Sequence, residues 1–164
     1  MKTLYLIGGT MGVGKTTVCR ILRDQLDDSV FLDGDWCWDM HPFTVTEETK
    51  KMVVENICFL LGQFLRFTQY QHVIFCWVMH EQSIIDDILA RVPHEGCAVK
   101  CVSLVCTADA LTRRLKKDVA ANLRAPDVVA RSVARLPLYE KLNTVKLDVS
   151  ALTPEETAKR ISAL

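Results

Sequence analysis

Lys15 and Thr16 stand directly behind Gly9, Gly12 and Gly14 in the run LIGGTMGVGKTTVCRIL, which covers residues 6–22. From Gly9 the residues Gly9-Thr10-Met11-Gly12-Val13-Gly14-Lys15-Thr16 match G-x-x-x-x-G-K-[ST] at every fixed position. Glycines at that spacing let successive backbone N–H groups curl around a phosphate without Cβ obstruction. The N-terminus of a following helix adds roughly half a positive charge. A lysine placed there reaches the β- and γ-phosphates, and the next hydroxyl serves Mg²⁺. Thr17 belongs with Gly9–Thr16 as a candidate nucleotide-binding residue, and Cys19, Ile21 and Leu22 give the helix an inward face. The chemistry this pattern supports is the holding of a nucleoside triphosphate.

A second group lies in VFLDGDWCWDMHPF, where Asp33 and Asp35 flank Gly34. At the carboxyl end of a strand, one carboxylate can hold water on a metal while the other orients an attacking hydroxyl or takes its proton. An Asp-Gly-Asp turn without chemistry is the alternative. A third group, RRLKKDVAANLRAPDVVARSVAR, carries several cations at residues 113–135, including Arg114, Arg124 and Arg135. Phosphoryl transfer leaves the protein mostly positioning and charge stabilisation to do, so a mobile arginine is worth about 10³ or more in rate. A cover of this kind also excludes water. The alternative for each arginine is a solvated helix face.

These groups need a frame. Short apolar runs predict strands at Thr3–Gly8, Val30–Asp33, His72–Met79, Val99–Cys106 and Thr144–Asp148. Helical patterns lie between them at about 14–26, 46–70, 81–91, 108–119, 126–141 and 154–164. Thr44 or Thr46 caps the second helix, and Thr153-Pro154-Glu155-Glu156 forms a capping box before the last. The alternation predicts a three-layer α/β domain with a five-stranded parallel sheet, one domain over residues 1–164. Ligands then bind beyond the carboxyl ends of the strands.

Composition narrows the class. Of 164 residues 49% are apolar, enough for a core, and the 20 basic residues balance the 20 acidic ones. No net field draws nucleic acid or an anionic membrane. No apolar run reaches the length of a membrane span. The N-terminus runs straight into a strand and the glycine loop, which argues against a cleaved leader. Seven cysteines without a C-x-x-C pair fit buried thiols in a reducing cytoplasm. The chain lacks N-K-x-D and D-x-x-G, so GTP switching is set aside. The third strand, in HVIFCWVMHE, lacks the terminal acid of a mechanical ATPase.

With these motifs the chain resembles the small P-loop kinases: shikimate, gluconate and adenylylsulfate kinases, chloramphenicol phosphotransferase and the nucleoside monophosphate kinases. LDGDW is similar to the D-G-D of the gluconate and adenylylsulfate enzymes, and RLPLYEKLNTVKLDVSALTPEETAKRI is similar to the shikimate kinase tail. The resemblance implies a small helical lid at about 112–136 and an acceptor-binding region at about 35–70. It implies that Asp33, with Thr16, holds Mg²⁺, and that Asp35 contacts the accepting hydroxyl. It implies Arg114 beside the adenine, Arg124 over the transferring phosphates, and Arg135 on the acceptor. The turn at 148–151 would border the adenine. Trp36, Trp38, His41, Phe43, Arg66 and Trp77 are candidates for the acceptor pocket. The chain departs from shikimate kinase in having Met79-His80-Glu81 where that family carries a glycine run, and it lacks the D-G-F-P of nucleotide kinases. The expectation is a cytoplasmic ATP- and Mg²⁺-dependent kinase, monomer or homodimer, acting on a small hydroxyl-bearing molecule. The alternatives are a nucleoside or nucleotide kinase and a regulatory protein that binds ATP without transferring it.

Overall fold

Residues Thr3–Gly8 form β1, and all six are buried. Its side chains alternate between two layers: Leu4 and Leu6 join one core, Tyr5 and Ile7 the other. A strand buried on both faces belongs at the centre of a sheet, and β1 lies there. In the computed structural model, which describes all 164 residues, five parallel strands run in the order β2-β3-β1-β4-β5. The others are β2 Ser29–Asp33, β3 His72–Cys76, β4 Ala98–Val105 and β5 Val145–Asp148. Fully burying one leucine or isoleucine is worth about 1.5–3 kcal/mol, so the apolar residues of β1–β4 and of the helices packed on them together supply much of the fold's stability.

Helices cover both faces. On one side lie α1 (Lys15–Gln25) and α6 (Pro154–Ser162), which pack on each other and bury Val18, Cys19, Leu22, Ala158 and Ile161. On the other lie α2 (Glu47–Arg66) and α3 (Gln82–Arg91), contributing Val53, Ile57, Leu61, Ile85 and Ile88. A third, smaller pair, α4 (Ala108–Ala120) and α5 (Val128–Tyr139), closes on Leu111, Leu115 and Val128. Thr46 is the N-cap of α2, in a capping box with Thr49. Thr153 caps α6 with Glu156, and Pro154 opens the first turn.

Two expectations change. The pairing of β3 ends at Cys76, not Met79. Beyond it the Val78 carbonyl accepts from the Gly9 N–H and from the Tyr139 hydroxyl, and Met79 turns away with φ 33°. The second helix stops at Arg66, four residues early, and Phe67 and Tyr70 pack on each other in the turn. In the sheet, β3 lies between β1 and β2. No helix is long and apolar enough to cross a membrane.

Candidate active site

The glycine loop joins β1 to α1 at the carboxyl edge of the sheet. Gly12 has φ 85°, and a Cβ there would sit 2.4 Å from the Leu115 side chain of α4. Glycine therefore serves two needs at once, the turn and the close packing of α4. The Lys15 ammonium donates to the Thr10 carbonyl at 3.0 Å, so the side chain folds back over the loop. Burial pushes its pKa down, opposed by the nearby Asp35 and Asp33 carboxylates. Thr10 is fully buried, and its hydroxyl donates to the Ser132 carbonyl of α5 at 2.8 Å. Its side chain thus faces α5, and only its backbone is left to a nucleotide.

Asp33 ends β2 and is 4% exposed. One carboxylate oxygen accepts from the Thr16 hydroxyl at 2.6 Å, although β3 separates the two strands. The contact is possible because α1 crosses over β3 to reach β2. The other oxygen accepts the Asp35 N–H at 3.0 Å and caps the short 3₁₀ turn Gly34–Trp38. That turn swings Asp35 toward Lys15. Burial first, then the neighbouring Asp33 charge, raises the Asp35 pKa, while Lys15, the Trp77 indole and Arg124 oppose the shift. Gly34 is the second obligatory glycine: a Cβ there would lie 2.6 Å from the Trp77 ring.

Three cavities open along this edge. A cleft of about 230 Å³ is bordered by Gly12, Val13, Thr17, Val149 and Leu152. Arg114 borders it too, donating to the carbonyls of Val149 at 2.8 Å and Val13 at 3.3 Å. Much of its donor capacity is therefore spent fastening the loop to the turn after β5. A second, polar cavity of about 200 Å³ is bordered by Met11, Gly14, Lys15, Thr16, Thr17, Asp35, Asp118 and Arg124. Arg124 pairs with Asp118 at 3.1 Å there, both about one-third exposed. A third cavity of about 570 Å³ has Lys15, Asp35, Asp39 and Arg135 among walls of Met11, Trp36, Trp38, Phe43, Trp77 and Val78.

The structure thus gathers the glycine loop, Asp33, Asp35, Trp36, Arg114, Arg124 and Arg135 at one edge. Arg66 does not join them. It is the last residue of a 20-residue helix, roughly 30 Å from the end near the cavities. Its guanidinium lies by Gly62, in a surface depression shared with Glu55, Arg91 and Pro93. The assignment of Arg66 to the acceptor region is therefore corrected. His41 is exposed and borders none of these cavities. Asp39 and Asp118 were not anticipated. Asp118 carries no sequence signal, whereas Asp39 could have been found from its position directly after Trp36-Cys37-Trp38.

The glycine loop, the parallel sheet and the acid at the end of β2 define a P-loop nucleotide-binding domain of the small-kinase fold. A family described as an AAA domain matches residues 6–126, and the chain belongs to that family. No curated protein sequence matches it significantly. Among solved structures it is similar to a gluconokinase from Sinorhizobium meliloti 1021, with TM-score 0.71, 17% identity, and coverage of 98% of this chain and 90% of that one. It is similar also to the Deinococcus radiodurans tunicamycin resistance protein, with TM-score 0.72, 16% identity, and coverage of 99% and 95%. A third is shikimate kinase from Acinetobacter baumannii in complex with shikimate, with TM-score 0.65, 20% identity, and coverage of 99% and 91%.

Proposed function

We propose that the protein is a phosphotransferase that moves the terminal phosphoryl group of ATP to a hydroxyl of a small molecule, with Mg²⁺. One observation carries the reading: Lys15 and Asp35 border both the polar cavity beside the glycine loop and the large cavity next to it. A donor phosphate in the first and an acceptor in the second would meet at these two side chains. Gluconokinase and shikimate kinase, whose names describe small-molecule kinases, share the fold.

The residues fit a divalent cation. Asp33 and Thr16 bring two hard oxygens together, one of them on a nearly buried carboxylate. No three acidic, histidine or cysteine side chains converge to hold a metal by themselves. That suits Mg²⁺, which keeps several waters and phosphate oxygens in its shell. When bound, it neutralises charge on the transferring phosphates. The protein's groups divide the remaining work. The glycine-loop N–H groups and Lys15 hold the β- and γ-phosphates, and Arg124 faces the same cavity from above. Asp35 takes the acceptor's hydroxyl proton as that oxygen bonds to phosphorus and the bond to the β-phosphate breaks, releasing ADP.

We read the whole chain as one such domain, with residues 112–136 as its lid, working in the cytoplasm where its seven thiols stay reduced. The test is ADP release across sugars, shikimate-like acids, antibiotics and nucleosides. At least one acceptor is expected to raise ADP production above the ATP-only rate, and Lys15→Ala to abolish the increase. Tight ATP binding without acceptor-dependent ADP in any arm would instead make this a non-transferring nucleotide binder.

A further inference from the structure

All three tryptophans of the chain border one cavity. Trp36, Trp38 and Trp77 stand with Phe43 around the space of about 570 Å³ beside Asp35. Each indole is braced. Trp36 meets Phe31 edge-on, 5.2 Å between centroids. Trp38 packs on Phe43 at 5.8 Å. Trp77 lies hard against the Gly34 backbone, where not even a methyl group would fit. Phe43 is nonetheless 67% exposed and Trp36 49%. Large aromatic side chains grouped and open in this way mark a binding surface.

On the transfer reading above, one atom of the acceptor is already located, because its hydroxyl must reach Asp35. The rest of the molecule must lie against these walls. A polyol or sugar acid would carry several further hydroxyls into the cavity, and each needs a partner once it loses water. Apart from Lys15 and Asp35, which also face the phosphate cavity, the lining offers only two charged side chains, Asp39 and Arg135. A planar unsaturated ring needs no such partners, and its faces and edges stack on indoles. We propose that the acceptor is an alcohol borne on an aromatic or heteroaromatic ring, with the ring seated among Trp36, Trp38 and Trp77. The position of the hydroxyl rests on the phosphotransferase reading; the seat of the ring rests on the cavity alone.

Because no tryptophan lies elsewhere, selectively excited tryptophan emission reports this cavity and nothing else. The full chain, with ADP bound, is titrated with phenethyl alcohol, with cyclohexylethanol as its saturated counterpart, with uridine, and with gluconate and shikimate. Phenethyl alcohol or uridine is expected to change the emission saturably. Phenethyl alcohol should bind at least about threefold more tightly than cyclohexylethanol, the preference that an aromatic pair confers. Within Trp36→Leu and Trp77→Leu proteins that still bind ADP normally, that ratio should collapse toward one. Equal affinity for the two alcohols in the wild-type protein, tighter binding of gluconate or shikimate, or a ratio retained in both variants would overturn the aromatic assignment. The wild-type ratio decides the matter even where a variant fails to fold. Aromatic binding without ADP release upholds the ring seat and overturns the phosphotransferase reading. ADP release with a polyol and none with either aromatic compound does the reverse.

Discussion

Asp35 stands where two demands on a carboxyl conflict. Burial and the neighbouring Asp33 raise its pKa, yet a proton acceptor must be ionised to act. If Asp35 takes the acceptor's proton as proposed, transfer should be lost as pH falls through that raised pKa and the carboxylate gains a proton, so the acid limb of kcat/KM should lie above the ordinary aspartate range. Asp35→Asn should lower turnover by about 10²–10⁴-fold and abolish that limb, while ATP·Mg²⁺ affinity changes only a few-fold. A variant that turns over normally with an unchanged pH profile would leave Asp35 as a turn residue. Asp33 should behave differently, because its oxygens face Thr16 and the Asp35 backbone and border none of the three cavities. Asp33→Asn should raise the Mg²⁺ concentration needed for half-maximal activity, and a Mg²⁺ titration of rate at saturating ATP checks it. Both acids were legible in the sequence because a D-G-D after a strand occupies the ligand edge of a parallel sheet. The reason for the glycine between them was not. It is the ring of Trp77, 43 positions away in the chain.

At the scale of elements, the short link between α4 and α5 carries Arg124 over the polar cavity, held there by Asp118. The pair is about one-third exposed, so solvent and salt weaken it and an arriving phosphate can compete for the guanidinium. ATP, alone or with acceptor, should therefore slow amide exchange across residues 112–136, read by hydrogen-exchange mass spectrometry. Equal exchange with and without ligands would make α4 and α5 a permanently packed pair. Arg124→Ala should lower kcat by about 10³-fold if the guanidinium reaches the transferring group. Elements were the most legible level. Continuous apolar runs gave the strands, and capping threonines gave the starts of α2 and α6. What periodicity could not supply was order across the sheet. The insertion of β3 between β1 and β2 follows from crossover connections, which leave no local mark. Arg66 was misplaced for a related reason: nearness in sequence to the acceptor region says nothing once a long helix carries the chain to the far edge.

For the molecule as a whole, the glycine loop was legible because phosphate binding dictates backbone geometry, and backbone geometry dictates glycine. The long-range ties were not legible, and one of them reaches beyond packing. Helix α5 is fastened to the loop through Thr10 and Ser132, and Tyr139 at its other end donates to the Val78 carbonyl at 2.5 Å. Between those ties it carries Arg135, and Val78 and Arg135 both border the aromatic cavity. One helix therefore touches both the glycine loop and the aromatic cavity, the proposed donor and acceptor sides. Its expected consequence is coupling between the two ligands: ATP should change acceptor affinity by some factor, and linkage then requires the acceptor to change ATP affinity by the same factor. Thr10→Val keeps the side chain's shape but removes a buried hydrogen bond worth about 1 kcal/mol. It should shrink both factors by the same amount while leaving the affinity of either ligand alone nearly unchanged. Calorimetric titration of each ligand with and without the other measures the two factors separately. Unaltered factors in a folded Thr10→Val protein would mean that the two halves of the site communicate by some route other than α5.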